Sequence, residues 1–351
     1  MALPKGVGSA LLAAVLFGAS TPVAKFLLGD VAPVLLAGLF YAGSGSGLAL
    51  VLAVRHWTKG SHAAGQLWPS KADWRWLAAA IGFGGIAGPI LMMLGLSSTA
   101  ASASALLLNL EAVFTALLAW VVFRENFDRR IAAGMASIVL GGVILAWTPG
   151  DSSISTGSVL IAAACLCWAL DNNLTRKVAA NDAIVIACMK GLVAGGVNIG
   201  IALAIGNMLP PWTLATAAAF VGFVGYGISL TLFVVALRAL GTARTGAFFS
   251  VAPFFGALLA VGLQHEPLTP TLVAAALLMA AGVLLHITER HVHEHEHVPG
   301  SHIHPHTHDE HHQHQHGADW DGIEPHTHVH EHQPMRHEHA HFPDIHHRHD
   351  H

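Results

Sequence analysis

The sequence predicts an all-α polytopic membrane protein of ten transmembrane helices, built as two five-helix inverted repeats and followed by a disordered C-terminal tail. Three observations predict it. About ten apolar stretches are each long enough to cross a bilayer. Lys and Arg occur in every second connection between them. After about residue 289 the apolar pattern stops and histidine takes over.

A spanning helix needs roughly 20 mostly apolar residues. Residues 7–28, 33–54, 76–96, 99–123, 131–147, 157–177, 182–206, 213–237, 243–263 and 270–288 meet or approach that length. The connection after the first stretch has no Lys or Arg, and the next carries Arg55, Lys59, Lys71 and Arg75. The alternation continues with Arg124, Arg129 and Arg130, then Arg176 and Lys177, then Arg238 and Arg244, then Arg290. Positive charge marks cytoplasmic loops, so both termini are expected in the cytoplasm of a multi-pass protein of the cell (inner) membrane. The first stretch is too long for a signal-peptide core and is expected to be retained.

Composition agrees. The chain is 53% hydrophobic and 11% charged, with mean hydropathy +0.54, against about 25% charged in soluble domains. A formal charge of −4 gives no basic excess for nucleic acid. Cys165, Cys167 and Cys188 lie inside apolar stretches and read as packing residues.

An offset of 141 places Ala116-Leu117-Leu118-Ala119-Trp120 on Ala257-Leu258-Leu259-Ala260-Val261, Glu125 on Glu266 and Gly141 on Gly282. The chain thus divides into residues 1–150, residues 151–288 and a tail, 289–351. Five spans per repeat is an odd number, so the second copy enters the membrane inverted. Such repeats recur in secondary transporters, where one half rocks against the other. Gly82, Gly84, Gly85 and Gly88, and Gly191, Gly195, Gly196 and Gly200, provide for close helix packing or for bending. Pro22, Pro89 and Pro253 can kink their helices.

The run Leu110-Glu111-Ala112-Val113-Phe114-Thr115-Ala116-Leu117-Leu118-Ala119-Trp120 with Glu125, and its partner Val251-Ala252-Pro253-Phe254-Phe255-Gly256-Ala257-Leu258-Leu259-Ala260 with Glu266, resemble the two signatures of the EamA family of the drug/metabolite transporter superfamily. The resemblance covers about residues 7–288. It implies ten helices, cytoplasmic termini and export or exchange of small solutes, without naming the solute. Ala112 stands where members often have proline.

Ionisable residues within the membrane mark candidate function. Glu111 is placed near the middle of the fourth stretch, where a carboxyl exchanging proton for substrate would support coupling. The sixth stretch carries Trp168, Asp171, Asn172, Asn173 and Thr175, of which Asp171 and Thr175 share a face. The seventh offers Lys190 and Asn198, and Asp171–Lys190 is a candidate ion pair. Lys25 either attracts an anion or snorkels to the interface. Tyr226 suits a cavity wall or simple packing. These nine residues, Glu111, Asp171, Asn172, Asn173, Lys190, Asn198, Trp168, Tyr226 and Lys25, are the candidate transport pathway.

In the tail, alternating runs recur at His291, His293, His295 and His297, at His302, His304, His306 and His308, and at His326, His328, His330 and His332. Neutral imidazole is a ligand for Zn, Ni, Co and Cu, and alternate residues of an extended chain face the same way. Heterogeneous binding of several ions is expected, with no cofactor required. The leading reading is an alternating-access exporter whose solute includes a divalent transition metal as a candidate. The alternatives are an amino-acid or polar-metabolite exporter with a metal-buffering or sensing tail, and a non-transporting membrane-tethered metal buffer or sensor. No P-loop or GxSxG motif is present, and the H-E-x-x-H strings at 293–297 and 337–341 fall within the alternating histidine tail, so an enzyme is not expected. The partners open to such a chain are the bilayer, a small-molecule or metal-ion substrate and a second copy of itself.

Overall fold

Long apolar runs fold as helices in a membrane because a helix satisfies its backbone N–H and C=O groups within one segment. A computed structural model describes residues 6–59, 73–123, 129–148, 153–175, 182–240, 242–287, 291–297, 300–306, 326–332 and 335–341. The helices are α1 (Val7–Leu27), α2 (Pro33–Lys59), α3 (Trp74–Ala80), α4 (Gly88–Ser98), α5 (Ala101–Leu107), α6 (Leu110–Phe123) and α7 (Arg129–Ala146). They continue as α8 (Thr156–Thr175), α9 (Ala183–Ala204), α10 (Trp212–Gly222), α11 (Ser229–Leu240), α12 (Thr242–Phe249), α13 (Ala252–Leu263) and α14 (Pro270–Ile287). Among the described residues, eight helical stretches are long and apolar enough to cross a membrane, and Ala252–Leu263 and Pro270–Leu285 are shorter apolar helices.

Four stretches depart from the uninterrupted helices the sequence suggests. A π-helical segment, Ile81–Ala87, joins α3 to α4, and another, Phe223–Ile228, joins α10 to α11. Both are glycine-rich. The stretch holding α5 and α6 breaks at Leu108-Asn109, where the Asn109 side-chain amide donates to the Leu106 carbonyl at 2.9 Å and so competes with the helix ladder. The stretch holding α12 and α13 breaks before Pro253, which fits the first turn of α13 because it has no N–H to lose. The four interruptions fall at corresponding places of the two halves. The chain is also not strictly all-α. Strand β1 (Trp147–Thr148) pairs antiparallel with β2 (Ser153–Ile154) between α7 and α8.

Small residues set how the helices meet. Helices α2 and α9 run antiparallel, with Gly38 against Asn198 and Ile199, and Gly45 against Gly191 and Leu192. A Cβ on Gly45 would lie 2.6 Å from the Gly191 carbonyl carbon. Where α7 meets α14, Gly141 faces Ala275 and Met279, while Gly282 faces Gly134 and Ile138. The remaining contacts also come in matched sets: α8 packs on α4 and α6, as α1 packs on α11 and α13. Phe40, Leu36, Leu96, Leu107, Ile138 and Met279 fill the interior. Phe26, Leu50, Phe220, Leu258 and Leu277 form part of an exposed apolar exterior.

Residues 290–351 form a separate unit. Strand β3 (His291–His297) pairs antiparallel with β6 (Met335–His341), and β4 (Gly300–His306) with β5 (His326–His332). These strands are not part of the sequence expectation for the tail. The same alternation read as a ligand pattern has the two-residue period of a strand.

Leucine at Gly191 must displace α2 backbone and is expected to cost about 1–3 kcal/mol. Thermal unfolding of the detergent-solubilised chain should show a lowered midpoint for Gly191→Leu. Gly196→Leu, where a Cβ meets nothing within 4 Å, should match the parent.

Candidate functional site

The polar side chains gather where α8 and α9 meet the π-helical segment Ile81–Ala87. Lys190 on α9 donates to both carboxylate oxygens of Asp171 on α8, at 2.6 Å each. The Thr175 hydroxyl, one turn along α8, donates to Asp171 Oδ1 at 2.9 Å. Asp171 is buried, and a side chain added at Gly84 would overlap its carboxylate. The glycine therefore makes the room in which the ion pair sits.

The widened π turn releases backbone carbonyls from the regular helix ladder, and neighbouring helices take them up. The Gly84 carbonyl accepts from Tyr41 Oη at 2.8 Å and from Trp168 Nε1 at 3.0 Å. The Gly85 carbonyl accepts from Asn198 Nδ2 at 3.0 Å. Asn198 is fully buried, and its Oδ1 has no hydrogen-bond partner. Beside this wall, Asn172 Nδ2 donates to Glu111 Oε1 at 2.8 Å. Glu111 lies within electrostatic reach of Asp171 and Lys190. Glu111 is half-buried and Asn172 exposed, so this edge of the cluster is accessible. Tyr226, in the second π-helical segment, meets Phe17 and Phe40 edge to face and Tyr41 at a tilt, at centroid distances of 5.7–5.8 Å.

A second polar assembly lies at the far end of α4, about 18 Å along the helix from Gly84 at 1.5 Å per residue. Lys25 Nζ donates to the carbonyls of Leu96 and Ser97, at 2.7 and 3.1 Å. The Glu266 carboxylate accepts the N–H groups of Ala101 and Ser102, at 2.7 and 2.9 Å. Gln264 Nε2 donates to the Pro22 carbonyl. Cation and anion thus cap the two helix ends that lack intrahelical partners, each at the pole of opposite sign.

Of the nine sequence-derived candidates, Glu111, Trp168, Asp171, Asn172, Lys190 and Asn198 come together, and Tyr226 joins them through Tyr41. Glu111 opens α6 after the break and accepts from Asn172 on α8, where the sequence placed it near the middle of the fourth stretch. Asn173 turns away and donates to the Ala169 carbonyl of its own helix at 2.8 Å. Lys25 belongs to the distant cap, where it donates to the Leu96 and Ser97 carbonyls within electrostatic reach of Glu266. Tyr41 and the Gly84 and Gly85 carbonyls were missed, and the cluster of glycines in that stretch was the available signal. Arg176, Lys177 and Glu125, and the side chains of the tail histidines, lie outside the described residues. Among the described residues no three His, Cys, Asp or Glu side chains converge as a metal site.

An apolar helical bundle enclosing charged and amide side chains is the construction of a membrane transporter. The chain belongs to the EamA-like transporter family, whose model matches residues 4–147 and again 155–288, and it is accordingly a multi-pass membrane protein. It is 29% identical over 293 residues to an uncharacterised transporter of Methanothermobacter thermautotrophicus, covering 80% of this chain and 85% of that one. It is 27% identical over 307 residues to a probable amino-acid metabolite efflux pump of Salmonella typhimurium, covering 79% and 93%. A solved crystal structure shares the fold at TM-score 0.59 and 18% identity, over 79% of this chain and 95% of that one.

Removing one member of a buried ion pair leaves an uncompensated charge, at a cost of about 3–5 kcal/mol. Asp171→Asn should therefore lower the unfolding midpoint of the purified chain strongly. Asp171→Asn combined with Lys190→Met should recover most of the loss.

Proposed function

We propose that the protein is a secondary transporter that exports amino acids or similar zwitterionic metabolites by alternating access. The observation that carries this reading is the Asp171–Lys190 pair bordered by Glu111–Asn172. Opposite charges a few ångströms apart complement an ammonium and a carboxylate on one small molecule. A bound zwitterion exchanges partners with the pair, its ammonium taking Asp171 or Glu111 and its carboxylate taking Lys190. The unpartnered Asn198 Oδ1 adds a hydrogen-bond acceptor about two turns along α9 from Lys190. The name of the Salmonella relative supports the same cargo class. A divalent metal fits this cluster less well, because its acids are paired with an ammonium and an amide instead of facing imidazoles or one another.

Alternating access is supported by the matched halves. Ten crossings, five from each half, put the second copy upside down relative to the first. The antiparallel packing of α7 on α14 and the exchanged contacts of α1 and α8 suit a two-fold axis in the membrane plane. Two halves so related give two states of similar energy, one open to each side. With cytoplasmic termini, the Lys25–Glu266 caps lie at the outer end and hold it closed, while the Glu111–Asn172 edge faces the cytoplasm. Outward opening then requires Glu266 to leave the amides of Ala101 and Ser102. Glu111 alternates between a proton and the substrate ammonium, which couples efflux to proton entry.

Efflux of labelled amino acids from preloaded proteoliposomes tests the reading. Efflux from the parent should accelerate under an imposed inward proton gradient. Asp171→Asn with Lys190→Met should lose at least about tenfold in rate, equivalent to ~1.4 kcal/mol. Glu111→Gln should lose the response to the proton gradient. Parent-like efflux from the double variant would remove the pair from the substrate path.

The outer closure has its own readout. Glu266→Gln weakens a charged cap to a neutral one and should shift the population toward the outward-open state. Ser102→Cys should then react faster with an impermeant maleimide applied from outside in the Glu266→Gln background than in the parent.

A further inference from the structure

The tail ladders place histidines directly opposite one another. In the β3–β6 ladder, His291, His293 and His295 stand opposite His341, His339 and His337. In the β4–β5 ladder, His302, His304 and His306 stand opposite His330, His328 and His326. Six rungs therefore each hold two histidines. Three of the strand partners, His337, His339 and His341, fall outside the alternating runs singled out from the sequence.

Opposed residues of an antiparallel pair have Cβ atoms about 4.5–5.5 Å apart. Two imidazole nitrogens on one zinc ion each lie about 2.0–2.1 Å from the metal, so the rung spacing suits one ion bridging two strands. Successive histidine rungs are two residues apart, about 7 Å along the strand, which separates neighbouring ions. An isolated two-stranded ladder is marginal in water. Here Glu294 also stands opposite Glu338, a like-charge pairing that weakens the ladder further. The ladder therefore needs another source of stability.

We propose that each ladder is a binding site for divalent transition metals, made of cross-strand histidine pairs, and that metal binding drives its formation. Each rung takes one ion of the zinc, nickel, cobalt or copper class, bridging β3 to β6 or β4 to β5. Binding and folding are one event, as expected where the ligands are brought together only in the folded form. The inference is independent of the cargo of the membrane unit. It replaces heterogeneous binding along the tail with a defined register.

The test uses the full-length chain in detergent, without an added affinity tag, and zinc as the probe. Equilibrium dialysis measures bound zinc, and amide hydrogen exchange follows residues 291–306 and 326–341. Substituting His326, His328 and His330 by Ala removes one side of three rungs and should abolish about half of the ladder zinc. Substituting His311, His312 and His314 by Ala removes as many histidines outside the ladders and should leave that zinc in place. His304→Ala and His328→Ala should be non-additive, because either one breaks the same rung. His304→Ala and His293→Ala should be additive. Zinc should slow amide exchange in the four strands of the parent. Equal zinc loss in the two triple variants, or exchange unaffected by zinc, would overturn the proposal.

Discussion

Inside an apolar bundle a polar group has no water to turn to, so each one must find its partner within the protein. The π-helical segment Ile81–Ala87 breaks that rule locally by releasing carbonyls. Tyr41 and Trp168 take up Gly84, and Asn198 takes up Gly85. Gly84 itself leaves the room for the Asp171 carboxylate, which takes Lys190. Repairing the backbone and assembling the polar cluster are therefore one arrangement. The caps at Lys25 and Glu266 obey the same rule at the other end, where α4 finishes and α5 begins.

The second constraint is distance. Helices can share hydrogen bonds only if their backbones approach closely, and glycine allows that approach. Gly45 against Gly191 brings α2 onto α9, where the Tyr41 backbone carbonyl lies beside Gly191. Gly84 leaves space for the Asp171 carboxylate. Glycines thus set which polar residues can meet, although none contributes a side chain. Because the closest approaches are backbone to backbone, a larger side chain at these contacts has no room. The broken stretches at Leu108-Asn109 and Ser250-Val251 lie at corresponding places in the two halves.

Much of the site was legible because charge in an apolar run is conspicuous. Asp171, Lys190, Glu111 and Asn172 stand out against their surroundings, and the pairing of the first two follows from their matching depth. Tyr41 was not legible, because a single aromatic in a helix is ordinarily packing. Lys25 was legible as an oddity but not as a cap, since its partners are backbone carbonyls more than seventy residues away in sequence. The tail shows the same division. Its alternation was plain, but which histidines stand opposite each other depends on strand register.

The sequence by itself determined that the chain crosses a membrane many times, that it carries two related halves, and that a histidine-rich segment follows. Those properties depend on composition, run length and repetition, which are local or self-comparing. The tertiary structure decided where helices widen or break, which carbonyls are released and which distant side chains satisfy them. The physical reason is that a buried hydrogen bond or ion pair has its energy fixed by a contact of about three ångströms. Only the packing of helices remote in sequence determines whether that contact exists.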